Sequence, residues 1–177
     1  MKETMREYFA QFTNEWMKFN HSLPRIVWNE DVDSFIYYGE EDKDGYISWE
    51  PIEKKEASTF KEIETQYHVQ LHDSVKQYFN SYWFLELMGW TNSYNIHLHP
   101  VAPGIEPNYF ISLVKDHVEL KGGILQYVPI GYESDGMLIV LNNNTGEIFV
   151  EDFELHEYTQ IANSLEILIS QLKFRDE

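Results

Sequence analysis

The sequence predicts a single α+β domain, residues 1–177, in which an antiparallel sheet is flanked by N-terminal and C-terminal helices. Three observations carry this expectation. Apolar residues recur at helical spacing near both ends of the chain. The last third reads as strand, Asn/Gly-rich turn, strand. A chain of 177 residues suits one core better than two.

At the N-terminal end, Met5, Tyr8, Phe9, Phe12, Trp16 and Phe19 share helical spacing ahead of Pro24, which predicts an amphipathic helix ending near Asn20 with its aromatic stripe as a packing face. The segment 29–56 is the most acidic. Within it Ser34 to Tyr38 and Tyr46 to Trp49 read as short strands around an Asp44-Gly45 turn. Thr59 with Glu62 has the spacing of a capping box and announces a short helix. A second helix is predicted from Asp73, carrying Val75, Phe79, Tyr82 and Trp83 and ending by Gly89. Tyr94 to His99 alternates, with Tyr94, Ile96 and Leu98 on one face and Asn95, His97 and His99 on the other, as in a half-buried strand.

A loop rich in proline (Pro100, Pro103, Pro107) leads to a helix from Asn108 with Phe110, Leu113, His117 and Leu120 along one side, stopped by Gly122-Gly123. Tyr127 to Gly131, a turn at Asp135-Gly136, the apolar run Met137 to Leu141, the loop 142–146 and a return over 147–151 make an antiparallel meander. Ile161, Leu165, Leu168 and Leu172 mark a closing helix. The sheet is therefore expected around 94–98, 126–131, 137–141 and 147–151.

The formal net charge of −17 sets the class of partner. So negative a surface repels nucleic-acid phosphates and anionic headgroups, and attracts basic protein surfaces in a salt-dependent way. Without cysteine there are no disulfides and no thiolate metal sites, which fits a reducing cytoplasm. Residues 1–20 lack the apolar run of a signal peptide, and no stretch has the length of a membrane span, so any membrane contact is expected to be peripheral and indirect.

His68 with His72, and His97 with His99, have spacings that can chelate zinc, but Val69 and Gln70 break the HExxH pattern and the spacing alone is weak. No nucleophile elbow, phosphate loop or dinucleotide fingerprint occurs. The chain is therefore read as non-enzymatic, with no metal and no cofactor. Its carboxylates stand beside aromatics instead: Trp49 with Glu50, Trp83 with Glu86, Tyr132 with Glu133. That pairing suits an arginine or lysine of a partner, by cation–π contact and charge-assisted hydrogen bonding.

The order of these features resembles the Syd family of the SUKH superfamily. The resemblance runs through the N-terminal helix, Tyr46 to Pro51 with Trp49-Glu50-Pro51, and Tyr67 to His72 feeding a helix with Tyr78-Phe79. It is strongest in Ile130-Gly131, Met137 to Leu141, Thr145-Gly146-Glu147 and Ala162 to Leu165, a pattern shared by many SUKH proteins. It implies a protein on the cytoplasmic face of the bacterial inner membrane, with an acidic surface docked on the basic cytoplasmic loops of SecY, the secretion channel. Other SUKH proteins are immunity proteins that neutralise polymorphic toxins such as nucleases, so a toxin domain stands as the other basic partner. Binding is expected at carboxylates flanking the Syd-like segments: Glu50, Glu86, Glu133, Asp135, Glu151, Asp152 and Glu154, with Trp49 and Tyr82 as aromatic supports. Strand-end loops should gather these on one solvated rim, so that reversing Glu151, Asp152 and Glu154 to lysine should weaken binding and spare the fold. Glu40, Glu41, Asp42 and Asp44 form the other acidic group.

Overall fold

The N-terminal stripe is a packing face. Helix α1 (Lys2–Asn20) buries Met5, Tyr8, Phe9 and Phe12, leaves Trp16 half-buried and exposes Phe19. This computed structural model describes residues 1–174 other than 92 and 156. Strand β1 (Arg25–Val27) follows, then a 3₁₀ turn at Ser34–Ile36, β2 (Tyr37–Tyr38) and β3 (Tyr46–Trp49). These form an antiparallel sheet in the order β1-β3-β2. The predicted strand over 34–38 is thus extended only in its last two residues. Strand β1, three residues long, is too short to show a period of two.

Strand β4 (Ile52–Glu53) pairs with β5 (Tyr82–Trp83), and between them lie α2 (Lys61–Tyr67) and α3 (Asp73–Phe79). The capping box does not form: Phe60 occupies the N-cap of α2, and the Thr59 hydroxyl accepts only the Lys61 N–H at 3.4 Å. The helix expected to reach Trp83 ends at Phe79, because pairing with β4 draws Tyr82 and Trp83 into a strand. Gly89 is not a terminator but lies inside β6 (Leu87–Trp90), where a Cβ would come within 2.8 Å of Leu172 Cβ.

The remaining strands are β7 (Asn95–Leu98), β8 (Tyr127–Glu133), β9 (Leu138–Asn142), β10 (Ile148–Asp152) and β11 (Glu157–Ala162), with α4 (Asn108–Leu120) between β7 and β8 and α5 (Leu165–Gln171) last. Together β6 to β11 make a six-stranded antiparallel meander in sequence order. Ile96 and Leu98 of β7 are buried and Asn95 and His97 only partly so, as the alternation predicts. Gly122 and Gly123 do stop α4, both at positive φ, with the Gly123 N–H on the Val118 carbonyl. Ile161 belongs to β11 rather than to the closing helix, which Ser164 caps by accepting the Ile167 N–H. Leu120 is exposed, so the α4 stripe buries Phe110 and His117 but not its last member.

Two features tie the layers together. The Tyr8 hydroxyl donates to the Met88 carbonyl at 2.7 Å and accepts its N–H at 2.9 Å, and Trp90 exchanges both backbone bonds with Lys173. The outer edge of β6 is thereby occupied. Asn143, in the turn before β10, accepts the His72 N–H and donates to the Gln70 carbonyl, clamping the α2–α3 connection to the sheet. Among the described residues no helix is long and apolar enough to cross a membrane.

A buried ionisable pair lies near α4. Glu106 accepts the Phe110 N–H at 3.0 Å, and burial pushes its carboxyl up to about 7 against the pull of that amide and of Lys54. Burial lowers Lys54 to about 8; its ammonium sits 3.6 Å from the centre of the Trp83 ring and donates to Ser58 Oγ and the Phe79 carbonyl. A folded pKa raised above the unfolded value means that the neutral acid is the favoured form. Its contribution is complete below the unfolded pKa of 4.5 and is lost as pH rises through about 7. Glu106→Gln stays neutral and keeps an oxygen for Phe110. Its melting temperature is therefore expected to gain on that of the parent protein as pH goes from about 5 to about 7. Parallel thermal-melt profiles across that range would contradict this.

Candidate partner-binding surface

The antiparallel register decides which carboxylates meet. Glu133 pairs with Ile96, Glu151 with Leu138 and Tyr158, and Asp152 with Glu157. The β8–β9 and β10–β11 turns therefore lie at the same end of the sheet. Asp135 and Glu154 are exposed there and Asp152 half-buried. Asp152 uses one oxygen to hold its own turn, accepting the Glu154 and Leu155 N–H groups at 3.0 Å each.

Two members of the expected rim are not solvated. Glu133 is buried because its Oε1 turns back to accept the Met137 N–H at 3.0 Å, closing the β8–β9 turn. Glu151 is completely buried: it pairs with Lys121 from the end of α4, accepts the Tyr158 hydroxyl at 3.0 Å and has His117 Nε2 at 3.9 Å. Burial works against the Lys121 charge, but the Glu151 carboxylate prevails and holds the ammonium above the ordinary lysine pKa. Burial lowers His117. These carboxylates face inward because α4 and the turn cover them, which strand alternation alone does not disclose.

The aromatic supports are also interior. Trp49 is fully buried on β3 against Phe12, and Tyr82 packs against Phe9. Trp83 already has a cation, the protein's own Lys54. Glu86 is half-buried, and burial raises its carboxyl above the usual range. Of the aromatic–carboxylate pairs, Tyr132 remains outward, exposed and stacked on His97 at 5.1 Å, while Glu50 is exposed at the end of β3. His72 is occupied in capping α3, and His68 ends α2 in the left-handed region.

The other acidic group is richer than its sequence suggested. Glu30, Asp31, Asp33, Glu40, Glu41, Asp44 and Glu50 are all exposed around the three-stranded sheet. Between them stand four exposed aromatics, Trp28, Phe35, Tyr38 and Tyr46. Tyr46 pairs across the sheet with exposed Val27, and Arg25 lies 5.9 Å from its ring centre while paired with Asp42. The hydrogen bond from Arg25, with the backbone N–H groups of Tyr46 and Asp44, holds the Asp42 carboxyl at about 2. Sequence reasoning took the Phe35 and Tyr38 run as strand and missed its exposure. Within that run Ile36 is buried in the core and Tyr37 packs against it, while Phe35 and Tyr38 point outward among the carboxylates.

Comparison with known proteins places the chain. The family model described as Syd protein (SUKH-2) matches residues 2–101, from α1 through β7, rather than the C-terminal strands where the resemblance is strongest by eye. Protein Syd of Idiomarina loihiensis is 21% identical over 142 residues, which is 78% of this chain and 75% of that protein. Protein Syd of Pseudoalteromonas atlantica is 21% identical over 131 residues, 72% of this chain and 70% of that one. With more than half of its length matched by the family model, the chain belongs to the Syd family.

Proposed function

We propose that the protein is a non-catalytic binding module that docks an acidic surface on the basic cytoplasmic loops of SecY, and so acts in the cytoplasm, reaching the membrane only through that channel. The observation that carries this reading is the exposed set of carboxylates and aromatics around β1-β3-β2, in a chain of net charge −17. Cytoplasmic loops of membrane proteins are rich in lysine and arginine. A carboxylate beside an exposed ring holds such side chains by charge and by cation–π contact. Glu50 belongs to this surface. Asp135, Asp152 and Glu154 form a second acidic rim at the sheet end and Trp49, Tyr82, Glu133 and Glu151 are interior, while half-buried Glu86 precedes β6 at the opposite end of the sheet.

Clustered charges act chiefly on encounter rate and specificity, and single ones contribute little. Reversing Glu40, Glu41, Asp44 and Glu50 together to lysine is expected to weaken binding to SecY by at least about tenfold at low ionic strength, with the melting temperature unchanged. Glu50→Gln alone should have little effect. Binding of purified SecY, or of peptides from its cytoplasmic loops, measured with and without added salt, checks both. Failure of the parent protein to bind either at low salt would refute the proposal.

A further inference from the structure

The two edges of the six-stranded sheet are treated differently. The β6 edge is occupied by the Tyr8 hydroxyl and by Lys173. At the other edge β11 pairs only with β10, and among the described residues no backbone hydrogen bond reaches its outer side. Alternate N–H and C=O groups of β11 therefore face outward without a protein partner. An edge of this kind is a template for another strand unless charge, proline or a bulge blunts it. Between Glu157 and Ala162 there is no proline and one charge, Glu157, at the start; the register slips at Ile161, so the regular edge runs from Glu157 to Gln160.

Beside Thr159, Gln160 and Ile161 of that edge lies a cleft of about 700 Å³ that also reaches Thr91 and Tyr94 of the β6–β7 turn. A second cleft of about 260 Å³ continues it along the strand, sharing Gln160, Ile161 and Gln171. Among the described residues neither cleft is lined by a carboxylate. Among the described residues the walls are mostly amides and hydroxyls, with Tyr94, Ile161, Ala162, Ile167 and Leu172 as the apolar part and Lys173 as the charge. Amide and hydroxyl side chains can donate to or accept from either group of a peptide unit, so such walls suit main chain better than a charged ligand.

We propose that the outer edge of β11 and this groove take an extended segment of the basic partner by strand addition, its main chain paired with β11. The proposal rests on the partner being a basic protein, as read above. A second copy of this chain is disfavoured by the repulsion of two bodies of charge −17. The groove is continuous at its Glu157 end with the rim of Asp152 and Glu154, since β11 pairs there with Asp152. A segment in it would thus carry uncharged polar residues in the cleft and basic residues at the rim. Main-chain pairing supplies affinity and the alternate side chains supply specificity.

The test uses the ¹⁵N-labelled full chain and a synthetic nonapeptide of alternating lysine and threonine. Amide signals of Thr159 to Ile161 and of Thr91 and Tyr94 are expected to shift on titration. The same peptide N-methylated at alternate residues should bind at least about tenfold more weakly, because it lacks the donors that strand addition uses. Ser170→Trp, which places a ring in the cleft from an exposed site on α5, should weaken binding comparably. Shifts confined to the acidic surfaces, with the N-methylated peptide binding equally, would overturn strand addition and leave the acidic docking intact. Shifts at β11 and at the rim of Asp152 and Glu154 without shifts at residues 28–50 would support strand addition and count against docking on the three-stranded sheet. Shifts at β11 that appear with protein concentration alone would show a second copy on the edge and also overturn the proposal.

Discussion

Glu151→Lys unfolds the protein, or lowers its melting temperature by at least about 6–10 °C, rather than weakening a surface contact. Glu151 has no solvent-exposed side-chain area, and its partner Lys121 keeps only 21%. Removing one member of a buried ion pair costs about 3–5 kcal/mol, because the other charge stays where water cannot reach it. Some of that is relieved here by the exposed fifth of Lys121, which sets the lower end of the range. The reversal then adds a second ammonium at the same place, facing Lys121 and His117. In a domain stable by about 5–15 kcal/mol this is a large fraction of the total, and each kcal/mol moves the midpoint of a chain this size by about 2–4 °C. Glu151→Gln keeps the shape and an acceptor for the Tyr158 hydroxyl, so its midpoint should fall between the two. Circular-dichroism melts decide the matter: a lysine variant melting within about 2 °C of the parent would mean that Glu151 is solvated. The rim is consequently to be probed by Asp135 and Glu154, which are exposed, rather than by Asp152, which holds its turn.

Trp49→Ala costs about 3–5 kcal/mol, the range for deleting a large buried aromatic and leaving a cavity. The indole is fully buried, packs on Phe12 at 6.0 Å between centroids, and joins the three-stranded sheet to α1. Its Nε1 is buried without a hydrogen-bond partner among the described residues. Trp49→Phe removes that unsatisfied donor along with some packing, and is expected to cost much less. Because no part of Trp49 reaches solvent, the phenylalanine variant should bind SecY as the parent does. If it folds normally but loses binding, Trp49 touches the partner through a rearrangement of β3, and its assignment to the interior is wrong.

The same two residues show where sequence reading stops. Alternation along β10 puts Glu151 on the face opposite Val150, and Trp49 on the same face as Ile47. Nothing local says that the end of α4, some thirty residues earlier in the chain, covers the first. Nor does it say that α1 covers the second. Short strands fail for a related reason. β1, β4 and β5 have two or three residues each and exist because a distant partner supplies the hydrogen bonds. Gly89 looked like a stop because glycine often is one. It sits mid-strand because Leu172 leaves no room for a side chain.

By itself the sequence determined the α+β class, α1, α4, the β8-β9-β10 meander with its turns, and the strongly negative charge of the chain. Each follows from interactions within a few residues, or from a sum over the chain: helical or two-residue periodicity, glycine at positive φ in the turns, and net charge. Only the tertiary structure decided which carboxylates are solvated, which aromatics face outward at 28–46, and which sheet edge stays open. Those depend on what packs against a residue from far along the chain, and burial of a polar group is settled by the partner that meets it there, as Lys121 meets Glu151.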